Sequence, residues 1–309
     1  MYQIMIGLLF TALSISASAK TISSKEFYRL EECAKLIDLA GKFYWPSLQR
    51  FSGPWVYVTM EGQYLVNYPQ ALNGFKNVDI TSFKKSSFKP FRIQWRDKGQ
   101  ITLTEEDHSS DPVFVFNSVS TTPGDLEYKN PVTYASSIEI VKKVVPLADT
   151  EDWMSLFLHE VFHQFQFSDK NVFNHYSLLK TKGLYIDSGE LAEIYSKNDW
   201  FKTLVLAENR ILLKARKEKN HILKRKIISE FFDARKKRRM KYLKEFGKNI
   251  SEAEALWEMI EGGARYFEYA TFRVLQTADP NSQLTGIDPL YGSNKRYRNK
   301  INLEKMEDH

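Results

Sequence analysis

The run His159-Glu160-Val161-Phe162-His163 holds two imidazoles four residues apart, with a carboxylate directly after the first. On a helix that spacing is slightly more than one turn, so both rings leave one face and can grip a single cation. Imidazole nitrogen suits zinc, and a carboxylate beside the ion can take a proton from a water held there. The encoded chemistry is metal-assisted hydrolysis, with His159 and His163 as ligands and Glu160 as general base. The surrounding residues predict the helix this needs. Asp149 and Thr150 are good N-cap residues, and Glu151 and Asp152 put negative charge in the first turn. Trp153, Leu156, Phe157, Val161 and Phe165 recur at three- and four-residue spacing as a core-facing stripe.

Two histidines leave a catalytic zinc site one protein ligand short. The best source of the third lies in the segment from Trp257 to Glu268, which contains Glu261-Gly262-Gly263-Ala264. This stretch resembles the Glu-Gly-x-Ala helix of the gluzincins, zinc peptidases whose third ligand is a glutamate from a second helix. The resemblance implies Glu261 as that ligand, Gly262 and Ala264 as the small residues that let two helices approach, and Glu268 as the later acid of the motif. It departs from the pattern at Ile260, which stands where many gluzincins carry Asn, and in the 98 positions from His163 to Glu261. The Gly-Ala-Met-Glu-Asn segment of the gluzincin aminopeptidases is missing. What remains is similar to bacterial zincin-like proteins with a His-Glu-x-Phe-His-x-x-Gln helix, matched here by His159, Glu160, Phe162, His163 and Gln166. The likeness covers roughly residues 140 to 270. It says little about substrate; the gluzincin motif is what implies Zn2+ as cofactor and a peptide or protein substrate.

Hydrolysis through a tetrahedral oxyanion also needs a hydrogen-bond donor. Arg265 and Tyr269 stand four and eight residues after Glu261, on one helical face, and Tyr266 lies beside them. Arg265 serves equally as an i,i+4 partner for Glu261. Glu208 is an alternative third ligand, an acceptor for one of the histidines, or a structural partner of Arg210. His175, in the loop expected after the metal helix, is a candidate pocket residue. Tyr291 and Tyr297 are the candidate electrophiles toward the C-terminus.

These residues must be positioned by an α+β chain: a strand-rich N-terminal half followed by a mainly helical, zincin-like half. Residues 1–19 read as a signal peptide, with an apolar run from Ile4 to Ala17 and small residues at Ala17-Ser18-Ala19. A mixed α/β region is expected over 20–150, opening with a helix from Lys25 to Lys42. Short strands follow at Trp55–Val58, Phe91–Trp95, Ile101–Thr104, Val113–Phe116 and Ile138–Val145, with a hairpin turn at Asp97–Gln100. Ser136–Val145 is expected to form an edge that takes an extended substrate by β-augmentation. Residues 151–309 form the helical zinc-binding region, interrupted by a basic helical insert over 200–250.

The chain has 309 residues, 43% of them hydrophobic, enough for a sizeable core. Cys33 is the sole cysteine, so no internal disulfide can form, and it reads as a small buried residue. An exported protein, periplasmic or extracellular after cleavage, is the expectation. The runs Lys224-Arg225-Lys226 and Arg235-Lys236-Lys237-Arg238-Arg239 read first as the solvated face of an amphipathic helix stitched by Glu218, Glu230, Asp233 and Glu245. Alternatively, with the net charge of +6, they read as a site of weak association with an anionic envelope surface. Export argues against a nucleic-acid partner. Two further readings use the same residues: a zincin fold that binds zinc without hydrolysing peptides, and an exported protein that uses its basic helices on anionic polymer.

Overall fold

Five short strands form one sheet, and its two faces are buried by different parts of the chain. The computed structural model describes residues 21–49, 51, 53–83, 86–88, 90, 92–97, 131–143, 147, 149–186 and 188–295. Strands β1 (Trp55–Val58), β2 (Gly62–Val66), β3 (Lys76–Asn77), β4 (Ile93–Asp97) and β5 (Thr133–Ser136) lie in the order β3-β4-β2-β1-β5. All neighbours pair antiparallel except β1 and β5, which run parallel with Trp55 opposite Thr133. Trp55, Tyr57, Tyr64, Val66, Ile93 and Ala135 turn to the helical side, while Val56, Val58, Leu65 and Tyr134 turn to the other. That is the two-residue period of a pleated strand, read twice because both faces are covered.

The helical side begins with α1 (Ser24–Tyr44), capped by the Ser23 hydroxyl, which accepts the Glu26 N–H. Phe27, Leu30, Cys33, Leu36, Ile37 and Ala40 form its buried stripe. The chain then helps itself to eight more helices among the described residues: α2 (Ile138–Val141), α3 (Thr150–Ser168), α4 (Lys170–Thr181), α5 (Ser188–Lys197), α6 (Asp199–Lys217), α7 (His221–Phe246), α8 (Ser251–Leu275) and α9 (Ser282–Ile287). Residues of α1, the sheet, α3, α8 and α9 meet in one core cluster, so strand-rich and helical halves bury each other. Helices α6 and α7 pair as a long hairpin. The architecture is α+β, with strands in the N-terminal half and helices mostly in the C-terminal half.

The strand expected over Ile138–Val145 is corrected. The strand lies earlier, at Thr133–Ser136, and Ile138–Val141 is helical. Its parallel partner β1 ends at Val58, where Thr59 N–H bonds to Gly62 O and turns the chain into β2. Ser137 N–H makes a last bond to Val58 O, after which no ladder remains to follow. Among the described residues 137–143 of the proposed substrate edge there is no strand, and the sheet ends on β5 at Ser136. The expected Phe91–Trp95 strand is shifted to Ile93–Asp97. Strand β2 had not been expected. The segments Ile101–Thr104 and Val113–Phe116, the Asp97–Gln100 turn, the signal region 1–19 and Tyr297 lie outside the described residues, wholly or in part.

Candidate metal centre

Helix α3 carries both histidines, and it is held to the sheet at each end. Asp149 caps it by accepting the Asp152 N–H at 2.9 Å, and the buried Trp153 indole donates to Ser136 O at 2.7 Å. Farther along, Gln164 donates to Pro54 O and Pro131 O (2.9 and 2.7 Å) and accepts from Thr133 Oγ1 at 2.9 Å. These bonds fix the rotation of α3, and with it the direction of the His159 and His163 rings. Both rings are buried.

Helix α8 brings Glu261 to them. His159 Nε2 and His163 Nε2 face each other at 3.1 Å. Glu261 Oε2 lies 3.4 Å from the first, and its Oε1 lies 3.4 Å from the second. Ligand atoms about 2.05 Å from a tetrahedral zinc stand roughly 3.3 Å apart. Each of these separations, ring to ring and each ring to its own oxygen of Glu261, therefore suits ligands of one zinc ion. Two nitrogens and a carboxylate oxygen are also the donor set zinc accepts. Ligand atoms of His159, Glu160 and His163 likewise fall within 4.8 Å of one another, so Glu160 also stands beside the pair. Glu261 is the better third ligand because it meets both Nε2 atoms at close range, whereas Glu160 flanks the pair.

The atoms behind the ligands complete the arrangement. His163 Nδ1 lies 3.1 Å from Gln166 Oε1, and the Gln166 amide is oriented by donating from Nε2 to Met259 O at 2.7 Å. His163 therefore carries its proton on Nδ1 and offers the Nε2 lone pair. His159 Nδ1 is buried and stands 3.4 Å from Glu268 Oε2, without hydrogen-bond geometry in this arrangement. Glu268 is in turn held by Arg265 Nη1 at 2.9 Å. A carboxylate behind a ligating histidine fixes its ring and raises its basicity. Gly263 permits the approach of α8: a Cβ there would lie 2.9 Å from Gln166 Nε2 and 2.9 Å from Phe162 Cε1.

Electrostatics separates the two glutamates. Burial pushes the Glu160 carboxyl up to about 7, against the opposing pull of both histidines. Glu261 is instead held well below the usual carboxylate range, chiefly by hydrogen bonding with His159 and His163. For His159, burial disfavours the charged ring, but Glu261 and Glu268 outweigh it and raise the imidazolium to about 9. A group near 7 suits proton transfer, and a group kept ionised suits ligation.

No known protein family, curated protein or solved structure matches this chain. The geometry therefore stands alone, and it sorts the remaining candidates. Arg265 pairs with Glu268 rather than with Glu261, and its side chain is 66% exposed. Tyr269 is half-buried beside Tyr266, their rings 6.3 Å apart, and Tyr266 also faces Tyr44 and Trp45. Glu208 is buried in a different cluster, bonded by Arg238 and Arg235 and not by Arg210. His175 is an exposed residue of α4, not of a loop. The buried Tyr291 accepts the Asn281 N–H through its hydroxyl, a structural tie.

Sequence reasoning missed how the basic insert returns to this place. Glu254, Glu258, Glu261, Arg265 and Glu268 follow one another at three- and four-residue steps, so they share one face of α8. The first two bind α7: Arg238 and Arg239 hold Glu254, and Arg235 holds Glu258 at 2.6 Å. The next acid along the stripe holds the histidines. Complementary charge was visible at these positions, but a sequence does not say which of many arginines meets which acid.

Proposed function

We propose that this chain is a zinc-dependent peptidase of gluzincin type, acting after export. The observation that supports it is the convergence of His159 Nε2, His163 Nε2 and the Glu261 carboxylate at 3.1 and 3.4 Å, with Glu160 beside them. A zinc ion bound there supplies Lewis acidity, polarising a carbonyl and bringing the pKa of a bound water toward neutrality. Glu160 takes the proton released from the attacking water. It then passes that proton to the departing amine nitrogen. Gln166 holds His163 in the tautomer protonated on Nδ1, which leaves the Nε2 lone pair for the metal, and Glu268, steadied by Arg265, stands behind His159. Arg265 is the cation close enough to Glu160 to favour its ionised form, and its exposure leaves it free to meet substrate. Export is read from the apolar run Ile4–Ala17.

Metal analysis tests the reading. The purified chain is expected to hold about one zinc, and Glu261→Ala to lose it or bind it far more weakly. Glu160→Gln is expected to keep the metal and lose roughly 10²–10⁴-fold in peptide hydrolysis. A chain that binds no zinc overturns the proposal. A zinc-loaded chain in which Glu160→Gln changes no activity overturns the role of Glu160.

A further inference from the structure

The α6–α7 hairpin carries the charge of this protein. From Asp199 to Phe246 there are sixteen Lys and Arg against six Asp and Glu, a surplus of ten in a chain whose net charge is +6. The ties to the body lie at its base. Arg235, Arg238 and Arg239 reach α8, and Phe201 and Tyr242 join the cluster around Ile250 and Ala253. Toward the tip the two helices bury Ala215, Ile227 and Phe231, none of which belongs to a core cluster of the body. The fourteen residues from His221 to Ala234 extend about 21 Å at 1.5 Å per residue, so the tip stands well out from the base.

At that tip, Lys217, Lys219, Lys224, Arg225 and Lys226 have no ion-pair partner among the described residues. The nearby acid, Glu218, accepts the Asn220 N–H. Between these cations project two aliphatic side chains, Ile222 at 79% and Leu223 at 48% exposure. They are held rigidly there, because Asn220 Oδ1 caps α7 by accepting both their N–H groups at 2.9 and 3.2 Å. Beside them Arg210, Leu213, Lys214, Lys217, Glu218 and Lys219 line an open hollow of about 680 Å³.

We propose that the tip of the α6–α7 hairpin docks on an anionic lipid bilayer. Ile222 and Leu223 enter the boundary between headgroups and acyl chains, while Lys217, Lys219, Lys224, Arg225 and Lys226 meet the phosphates. The hollow beside Lys214 and Lys217 receives a headgroup. Cations alone would fit any polyanion, and it is the exposed aliphatic pair that selects lipid. A base or a sugar ring offers nothing to Ile222, whereas an acyl boundary removes it from water. Nucleic-acid surfaces stack bases on exposed aromatic rings, whereas the exposed large apolar side chains between Lys217 and Lys226 are the aliphatic Ile222 and Leu223, and the exposed Phe232 lies farther along α7. The charge surplus is screened by salt, so docking is strongest at low ionic strength. This inference does not depend on the metal site.

Cosedimentation of the chain with vesicles tests it, comparing phosphatidylcholine alone with phosphatidylcholine containing phosphatidylglycerol. Binding is expected only to the anionic vesicles and to fall as salt rises. Ile222→Ser with Leu223→Ser is expected to weaken it roughly tenfold at constant charge. Lys224→Glu, Arg225→Glu and Lys226→Glu together are expected to abolish it. Ile222, Leu223, Arg225 and Lys226 are exposed and Lys224 is part-buried, and an unchanged thermal unfolding midpoint shows that each variant is folded. Equal binding to both vesicle types, or a serine variant that binds like the unsubstituted chain, overturns the proposal. So does tighter binding to duplex DNA than to anionic vesicles at the same salt.

Discussion

Gln166 shows how much one amide contributes to a site it does not directly enter. It accepts from His163 with one atom and donates to the α8 backbone with the other, so it fixes a tautomer and a helix separation together. Gln166→Ala should weaken zinc affinity by about 10–100-fold while leaving the chain folded, as measured by competition with a chromophoric chelator. A change below twofold would assign Gln166 to packing alone. His159 gives that affinity its pH dependence. With the imidazolium raised to about 9, zinc must displace a proton from the ring, so affinity should climb as pH rises toward that value. The metal-free protein should respond the other way. A raised His159 pKa stabilises the fold below about 6.5 and loses that contribution as pH rises through about 9. Glu160, raised from 4.5 to about 7, stabilises the protonated fold and loses that contribution over its own window. Urea unfolding of chelator-treated protein should therefore show stability falling from about pH 5 to 9 from these two groups.

At the scale of elements, the α3–α8 contact decides the centre, and two adjacent glycines probe it. Gly263→Ala puts a Cβ 2.9 Å from both Phe162 and Gln166, and should cost about 1–3 kcal/mol and lower zinc affinity with it. Gly262→Ala meets nothing within 4 Å, and should stabilise α8 by about 0.5–1 kcal/mol with affinity unchanged. Equal effects at both positions, in unfolding and chelator competition, would disprove the close-approach argument. The same contact explains what could be read in advance. The histidine pair, its helix and its Asp149 cap were legible because ligands and capping residues are local in sequence. Glu261 needed a family resemblance, since nothing local says that α8 returns to α3 after the insert. Strand β2 was invisible for another reason. All five of its residues, Gly62 to Val66, are buried, so no alternation of polar and apolar types marks it. Its Gly62 closes the turn from Thr59 and also allows the close approach of Arg96 O and Trp95. Ile138–Val141 misled in the opposite sense. Its β-branched residues suit a strand, but Glu139 is drawn to Lys25 and Arg29, and a short helix delivers it there.

Across the whole molecule, one guanidinium ties the chain's beginning and end to the start of the metal helix. Arg29 has no exposed surface. It grips Asp288 through Nε and Nη2 at 2.7 and 2.9 Å, and Glu26 and Glu139 through Nη1 at 3.0 and 2.9 Å. Asp288 also accepts from Thr150 Oγ1, the first residue of α3, and Glu26 accepts the Tyr57 hydroxyl from the sheet. Burial raises Glu139, but Arg29 and Lys25 outweigh it and bring it down to about 2. Its contribution is thus present above its unfolded pKa of about 4.5 and lost as pH falls toward 2. Arg29→Met removes the cation from the buried Glu26 and Asp288, while Glu139 keeps Lys25, and should cost about 3–5 kcal/mol. In that variant Glu26, which burial already raises against the pull of Arg29, titrates higher still. A carboxylate with a raised folded pKa loses stability as pH rises, so acidification now favours the fold. The stability gap between Arg29→Met and the unsubstituted chain should therefore narrow as pH falls from about 7 to about 4.5. Urea unfolding at a series of pH values measures that gap, and a gap constant with pH would mean that Arg29 holds these elements by packing rather than by charge.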